Sequence, residues 1–169
     1  KACTYLAGLG HRRIALLNGE PGFMFPVGCR EGYESGLFLS GLELDPDLIR
    51  EWKHKDPSQS SYRWTLELFK NDNPPTAILF QTEAVNGIFK GLDELDLQPG
   101  KDVALIGYDD LEIARIHRPS LSVLKPQSRE AGQRVVNILM EVIKGEDPGK
   151  FQEIHKVKMV IRETSLPPS

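Results

Sequence analysis

Three short apolar runs punctuate the chain: RIALL (13–17), TAILF (76–80) and VALIG (103–107). They are continuous rather than alternating, the pattern of strands buried on both faces of a parallel sheet. LIREW (48–52) is a weaker fourth run. Helical periods lie between them. Over 85–95, Val85, Ile88, Phe89, Leu92 and Leu95 share a stripe; over 59–70, Tyr62, Leu66 and Phe69 do, with Ser58 as N-cap. An opening helix is expected to stop at Gly10, with His11, Arg12 and Arg13 beside its carbonyl end. The longest helix starts at Ser128, stops at Gly145, and puts Ala131, Val135, Ile138, Leu139, Val142 and Ile143 on one face. KVKMVIR (156–162) alternates and predicts an edge strand, and LPPS reads as a disordered end. Strand and helix alternate, which predicts an α/β fold: a doubly wound, mainly parallel sheet with helices on both faces.

Composition narrows the function. The 169 residues are 40% hydrophobic and 27% charged, with a net charge of −3, so no basic footprint for nucleic acid is present. No apolar run reaches the roughly 18 residues of a membrane span. The two cysteines, Cys3 and Cys29, in a charged chain suit a reducing, cytoplasmic compartment. His11, His54, His117 and His155 are scattered and read as surface or interface residues. No metal-ligand spacing is present, no cofactor is implied, and the nucleophile and phosphate-loop motifs of enzymes are missing. Cys29 with His117 is the one conceivable nucleophilic pair.

The chemistry concentrates after VALIG. Gly107 and Tyr108 end the run, and Asp109 and Asp110 follow at once. Ligands of open α/β sheets bind beyond the carboxyl ends of strands, where a carboxylate can accept hydrogen bonds from neighbouring hydroxyls of a sugar or polyol. The same acids could instead cap a short helix over 111–116. Residue chemistry leaves both readings open; one division of labour puts Asp109 in the cleft and Asp110 at the cap.

The order of segments is more specific than any one of them. YLAGLGHRRIALLNG (5–19), GYESGLFLSGLELD (32–45), PTAILF (75–80), VALIGYDD (103–110), RPSLSVLKP (118–126), REAGQ (129–133) and IRETS (161–165) together resemble the C-terminal part of the lactose-repressor/galactose-repressor (LacI/GalR) family of bacterial transcription regulators. The resemblance implies a type I periplasmic-binding-protein-like fold of two subdomains around an effector cleft, a homodimer, and operator DNA bound by a helix-turn-helix head outside this chain. Residues 1–124 would be the second subdomain, 125–155 a crossover and helix of the first, and 156–169 a return strand and tail. The start reads as the end of a helix and suggests a fragment. A periplasmic sugar-binding protein for transport is the alternative with the same fold.

Asp109 matches the family position that bonds a sugar effector. Other positions depart from the pattern. Cys29 stands where an arginine is usual, and Arg30 follows it; Thr82 and Glu83 replace an Asn-Asp pair; Asp56 and Pro57 stand where many members have a cleft-side aromatic, and Ser128 where some do. Arg30 reaches the pocket only if the loop before it shifts the helix start; otherwise it is a solvated residue and Cys29 a packing one. Asp109, Arg30, Cys29, Thr82 and Glu83 are thus the candidate effector residues. The resemblance also places Gly87, Ile113, Ile116 and His117 at a dimer contact through helix 83–95 and segment 111–117.

Overall fold

The computed structural model describes every residue except Lys53, His54, Lys55, Leu166, Pro168 and Ser169. The expectations for His54 and for most of LPPS fall outside the described residues. Strand and helix alternate: α1 (Ala2–Gly8), β1 (Ile14–Asn18), α2 (Met24–Leu39), β2 (Ile49–Glu51), α3 (Pro57–Phe69), β3 (Ala77–Gln81), α4 (Val85–Glu94), β4 (Ala104–Tyr108), α5 (Glu112–Ile116), β5 (Ser122–Lys125), α6 (Ser128–Ile143) and β6 (Lys158–Val160). The sheet runs β2-β1-β3-β4-β5-β6, parallel from β2 through β5, with β6 antiparallel on the edge.

The buried runs became strands because both faces of the sheet are covered. Ile14, Leu16, Ala77, Leu79, Ala104 and Ile106 pack beneath α1 and α2 with Leu6, Tyr33 and Leu37. Their neighbours Ala15, Leu17, Ile78, Phe80 and Leu105 pack on the opposite side with Leu68, Val85, Ile88 and Leu92 of α3 and α4. Each main strand ends one residue later than its apolar run, at Asn18, Gln81 and Tyr108. Backbone pairing carries the ladder onto a polar residue that hydropathy excludes; Gln81 still pairs with Tyr108.

The α3 stripe is rotated from the expected one. Ser61, Thr65 and Leu68 are buried, whereas Tyr62, Leu66 and Phe69 are half-buried. The cause lies on α4, which presents Gly87 and Gly91 to α3. A Cβ on Gly87 would land on the Ser58 carbonyl and the Ser61 hydroxyl, and one on Gly91 would lie 2.8 Å from the Thr65 Cβ. Two helices this close need small side chains at the seam. Gly87 is therefore a packing residue of the α3–α4 seam.

The caps differ as well. Asp56, not Ser58, caps α3 by accepting the Gln59 N–H at 2.8 Å, with Pro57 as first helical residue. Ser128 lies inside α6, after Gln127, and no side chain caps that helix. Gly10 does take a left-handed conformation after α1 (φ 104°), and Arg12 donates to the Ala7 carbonyl. His11 is buried, its Nδ1 2.9 Å from the Thr76 hydroxyl, which corrects its reading as a surface residue.

The last strand is shorter than 156–162, but the segment after it is built into the sheet. Leu105 donates to the Thr164 carbonyl at 2.6 Å, and the Thr164 hydroxyl donates back to the Leu105 carbonyl at 2.9 Å. The Ser122 N–H donates to that same hydroxyl, and the Ser122 and Ser165 hydroxyls lie 2.7 Å apart. α6, by contrast, has no buried residue; Val135, Val136, Leu139, Met140 and Ile143 are exposed on it.

Candidate ligand-binding site

Strand order reverses direction at β1, which has β2 on one side and β3 on the other. Chain connections leave such a point in opposite directions and open a crevice at the carboxyl ends of the strands. A cavity of about 380 Å³ lies there. The ends of β1, β3 and β4 form its floor, and the first turns of α2 form a wall. Its polar groups are few. Asn18 donates to the Pro26 carbonyl at 2.8 Å, and the Gln81 amide lies 3.5 Å from the Asn18 side-chain oxygen, so the two span the crevice. The Phe25 and Tyr108 rings meet edge-on, with centroids 4.7 Å apart. Burial, then the neighbouring Cys29 and Asp109, push the Tyr108 phenol up, so it remains a protonated donor. Asn18, Gln81, Phe25 and Tyr108 were not singled out in the sequence. The signal was available for three of them, because Asn18, Gln81 and Tyr108 are the terminal residues of their strands.

The two aspartates divide their work differently from either sequence reading. Neither caps α5, whose N-cap is Leu111 with no side-chain bond. The Asp110 side chain is 5% exposed and binds Arg162 at 2.7 Å, Arg115 at 3.2 Å and Lys125 at 3.2 Å. Burial alone would raise its pKa, but the bonds from Arg162, Arg115 and Lys125 outweigh it and hold the carboxyl at about 2. Asp109 turns the chain in the left-handed region (φ 84°), which a short polar side chain tolerates. One of its carboxylate oxygens accepts the Asp110 N–H at 2.8 Å. Asp109 is half-buried and follows Tyr108 directly, but it is not one of the residues that line the cavity.

Of the other predicted residues, only Cys29 lines the cavity. Burial pushes its thiol up to about 11, so it is a neutral packing group, not an anion or nucleophile. Arg30, one step round α2, bonds Glu34 at 3.0 Å and Glu51 at 3.2 Å, and does not line the cavity. Thr82 is fully buried, with its hydroxyl 2.7 and 2.8 Å from the Tyr108 and Asp109 carbonyls to which it donates. It supports the aspartate turn from beneath and is not open to a ligand. Glu83 is exposed and does not line the cavity. Asp56 and Ser128 do not line the cavity either.

On the other face, Ile113 packs toward the core, while Ile116 is 65% exposed. His117 Nε2 donates to the Asn86 side-chain oxygen at 3.0 Å and its ring lies on the Phe89 ring at 4.3 Å, and it does not line the cavity that Cys29 lines. The nucleophilic pairing of Cys29 with His117 is not assembled. Among the described residues, no group of His, Cys, Asp and Glu is gathered to hold a metal, and no helix is long and apolar enough to cross a membrane.

The family model of the periplasmic binding protein-like domain matches residues 3–165. The chain belongs to that family. Within it, the lactose operon repressor of Escherichia coli K12 is 29% identical over 98% of this chain and 45% of its own length. A regulatory protein of the LacI family from Chloroflexus aggregans superposes with a TM-score of 0.89 at 26% identity, over 97% of this chain and 59% of the other. The lac repressor dimer bound to operator and the anti-inducer ONPF gives a TM-score of 0.85 at 26% identity, over 98% of this chain and 49% of the other. The chain spans about half the length of the curated relatives it matches. It carries the fold of LacI-family effector-binding domains, and these relatives are transcription regulators rather than enzymes. The expected fold class and the LacI resemblance therefore hold for this member of the periplasmic binding protein-like domain family.

Proposed function

We propose that this chain is the effector-binding and dimerising part of a cytoplasmic LacI-type transcription regulator. A sugar or sugar-like metabolite binds at the crevice and modulates operator binding by a helix-turn-helix head outside this chain. The observation that carries the reading is the cavity at the carboxyl ends of β1, β3 and β4, with the Asp109 turn directly following its lining residue Tyr108. Asp109 accepts hydroxyl groups there, and no described residue other than Asp110 donates to its carboxylate.

Residues 1–124 act as one subdomain. Residues 125–155 cross into a second and include α6, and 156–169 return. The exposed apolar face of α6 supports this division, since a helix with Val135, Leu139 and Ile143 outward needs a sheet or helices to cover it. Dimer contact runs through Ile116 and its surroundings. A ligand that binds the two subdomain arrangements unequally shifts their equilibrium and so the spacing of the DNA heads.

The test is calorimetric titration of the complete regulator with sugars, in the parent and in Asp109→Asn and Asp109→Gly. Both variants tolerate the left-handed backbone, which Asp109→Ala would strain. Loss of a charge-assisted bond weakens binding by about 1.5–3 kcal/mol. Unchanged affinity in both variants removes Asp109 from the site, and no binding of any sugar removes the sugar reading.

A further inference from the structure

A second concavity, about 460 Å³ in volume, lies between the end of α5 and the segment after β6. Arg115, Arg118, Ser120, Arg162 and Glu163 line it, and it shares no lining residue with the crevice. Three guanidinium groups thus border one space in a chain whose net charge is −3. Arg115 and Arg162 bond Asp110, and Lys125 bonds it too. Four cations therefore meet two carboxylates, Asp110 and Glu163, and the cluster keeps a positive excess. The guanidinium groups are fixed by only part of their donors. Arg118 Nη1 donates to the Arg115 carbonyl at 3.1 Å and the His117 carbonyl at 2.9 Å, which pins the group over the end of α5. Its Nε and Nη2 have no hydrogen-bond partner among the described residues, and it forms no ion pair among them. Arg162 spends Nη1 on the Leu121 carbonyl and Nη2 on Asp110, both at 2.7 Å, and Arg115 spends Nε and Nη2 on Asp110.

Each fork therefore keeps N–H donors unspent while its position is set, so a ligand that accepts them loses little further ordering entropy. One oxyanion is already accommodated. The Glu163 carboxylate accepts the Ser120 N–H and the Ser120 hydroxyl, both at 2.6 Å. The Ser120 bonds, with the nearby Arg118 charge, hold that carboxyl below its ordinary range. The lining contains no apolar side chain, so nothing in it favours an uncharged ring or alkyl group. Several planar donor forks around one space suit a tetrahedral oxyanion, whose oxygens accept from more than one fork at once. We propose that this concavity is an anion site for a phosphate group, either free or carried as a phosphomonoester on a small metabolite. Arg118 supplies the fork that no carboxylate holds, Arg115 and Arg162 add charge and donors, and Glu163 is the opposing charge that limits affinity. Arg115, 55% exposed, is shared with Asp110, so a bound phosphate competes with Asp110 for it and is linked to the turn that begins at Asp109.

The experiment follows inorganic phosphate and glycerol phosphate by phosphorus NMR titration of the complete regulator at low ionic strength, with sulfate as competitor. The parent is compared with Arg118→Gln and Glu163→Gln, and thermal melts check that each variant folds. The expected result is saturable phosphate binding that sulfate displaces and added salt weakens. Arg118→Gln weakens it by on the order of tenfold. Glu163→Gln tightens it by about threefold, because it removes the opposing charge and leaves an acceptor for Ser120. Glycerol phosphate binding more tightly than inorganic phosphate marks a metabolite-borne group, and the reverse order marks free phosphate. No saturable binding, or an affinity that a folded Arg118→Gln leaves unchanged, overturns the site. If Arg118→Gln does not fold, Glu163→Gln decides, and an affinity it fails to raise overturns the site equally.

Discussion

Asp110→Asn tests the charge arrangement beside the site. The parent carboxyl titrates at about 2 against an ordinary 3.8. A gap of nearly two units corresponds to about 2 kcal/mol of stability at neutral pH. Arg115 and Lys125 are half-exposed, with side chains 55% and 47% accessible, so solvent screening trims their share and leaves about 1–2 kcal/mol. The folded value is depressed, so this contribution is fully present above the unfolded pKa and is lost as the pH falls through the folded one. The variant also strands the Arg162 guanidinium, only 17% exposed, which brings the total cost at neutral pH to about 2–3 kcal/mol. Urea unfolding followed through Trp52 and Trp64, which stack at 6.0 Å, reads the difference. The gap between parent and variant should shrink by about 1–2 kcal/mol between roughly pH 5 and pH 2. Equal gaps at both ends of that range, or a variant as stable as the parent at neutral pH, would refute the reasoning.

Three further outcomes are expected. Gly87→Ala forces α3 and α4 apart and destabilises by about 1–3 kcal/mol in the same unfolding assay, because the new Cβ meets backbone rather than a flexible side chain. Thr82→Val strips the buried donor from the Tyr108 and Asp109 carbonyls and costs about 1–3 kcal/mol, while Thr82→Ser keeps most of it; thermal melts of the pair separate hydroxyl from methyl. Ile116→Lys on the complete regulator should shift sedimentation toward monomer if α5 lies in the dimer contact, and an unchanged dimer sets α5 aside.

The sheet was legible because Ile14–Leu17, Ala77–Phe80 and Ala104–Ile106 are apolar on both faces, and only burial between helix layers produces that pattern. The rotation of α3 was hidden, because Ser61 and Thr65 look solvent-facing until Gly87 and Gly91 are placed opposite them. Pair packing is a property of two helices, and a period read along one does not contain it. At the site, Asp109 and its turn were visible beyond VALIG, whereas the role of Asp110 depended on Arg162 and Lys125, which reach it from 52 and 15 residues away. Arg30 was the hardest to place. One helical step is about 100°, enough to point it at Glu51 instead of the crevice.

The stitching of residues 162–165 into β4 and β5 has a consequence for the order in which the protein is made. Leu105 waits for Thr164 across 59 residues, Ser122 waits for Ser165 across 43, and the Tyr5 hydroxyl reaches the Ser165 carbonyl across 160. A nascent chain emerging from the ribosome can form β1 through β4 and their helices early. Yet Leu105 at the start of β4, and the edge of β5 that pairs with β6, stay unsatisfied until α6 and the return strand have been synthesised. Closure over such long loops is slow, and until it happens an unpaired strand edge is open to neighbouring chains. A translational pause within α6 therefore prolongs the stage most prone to aggregation.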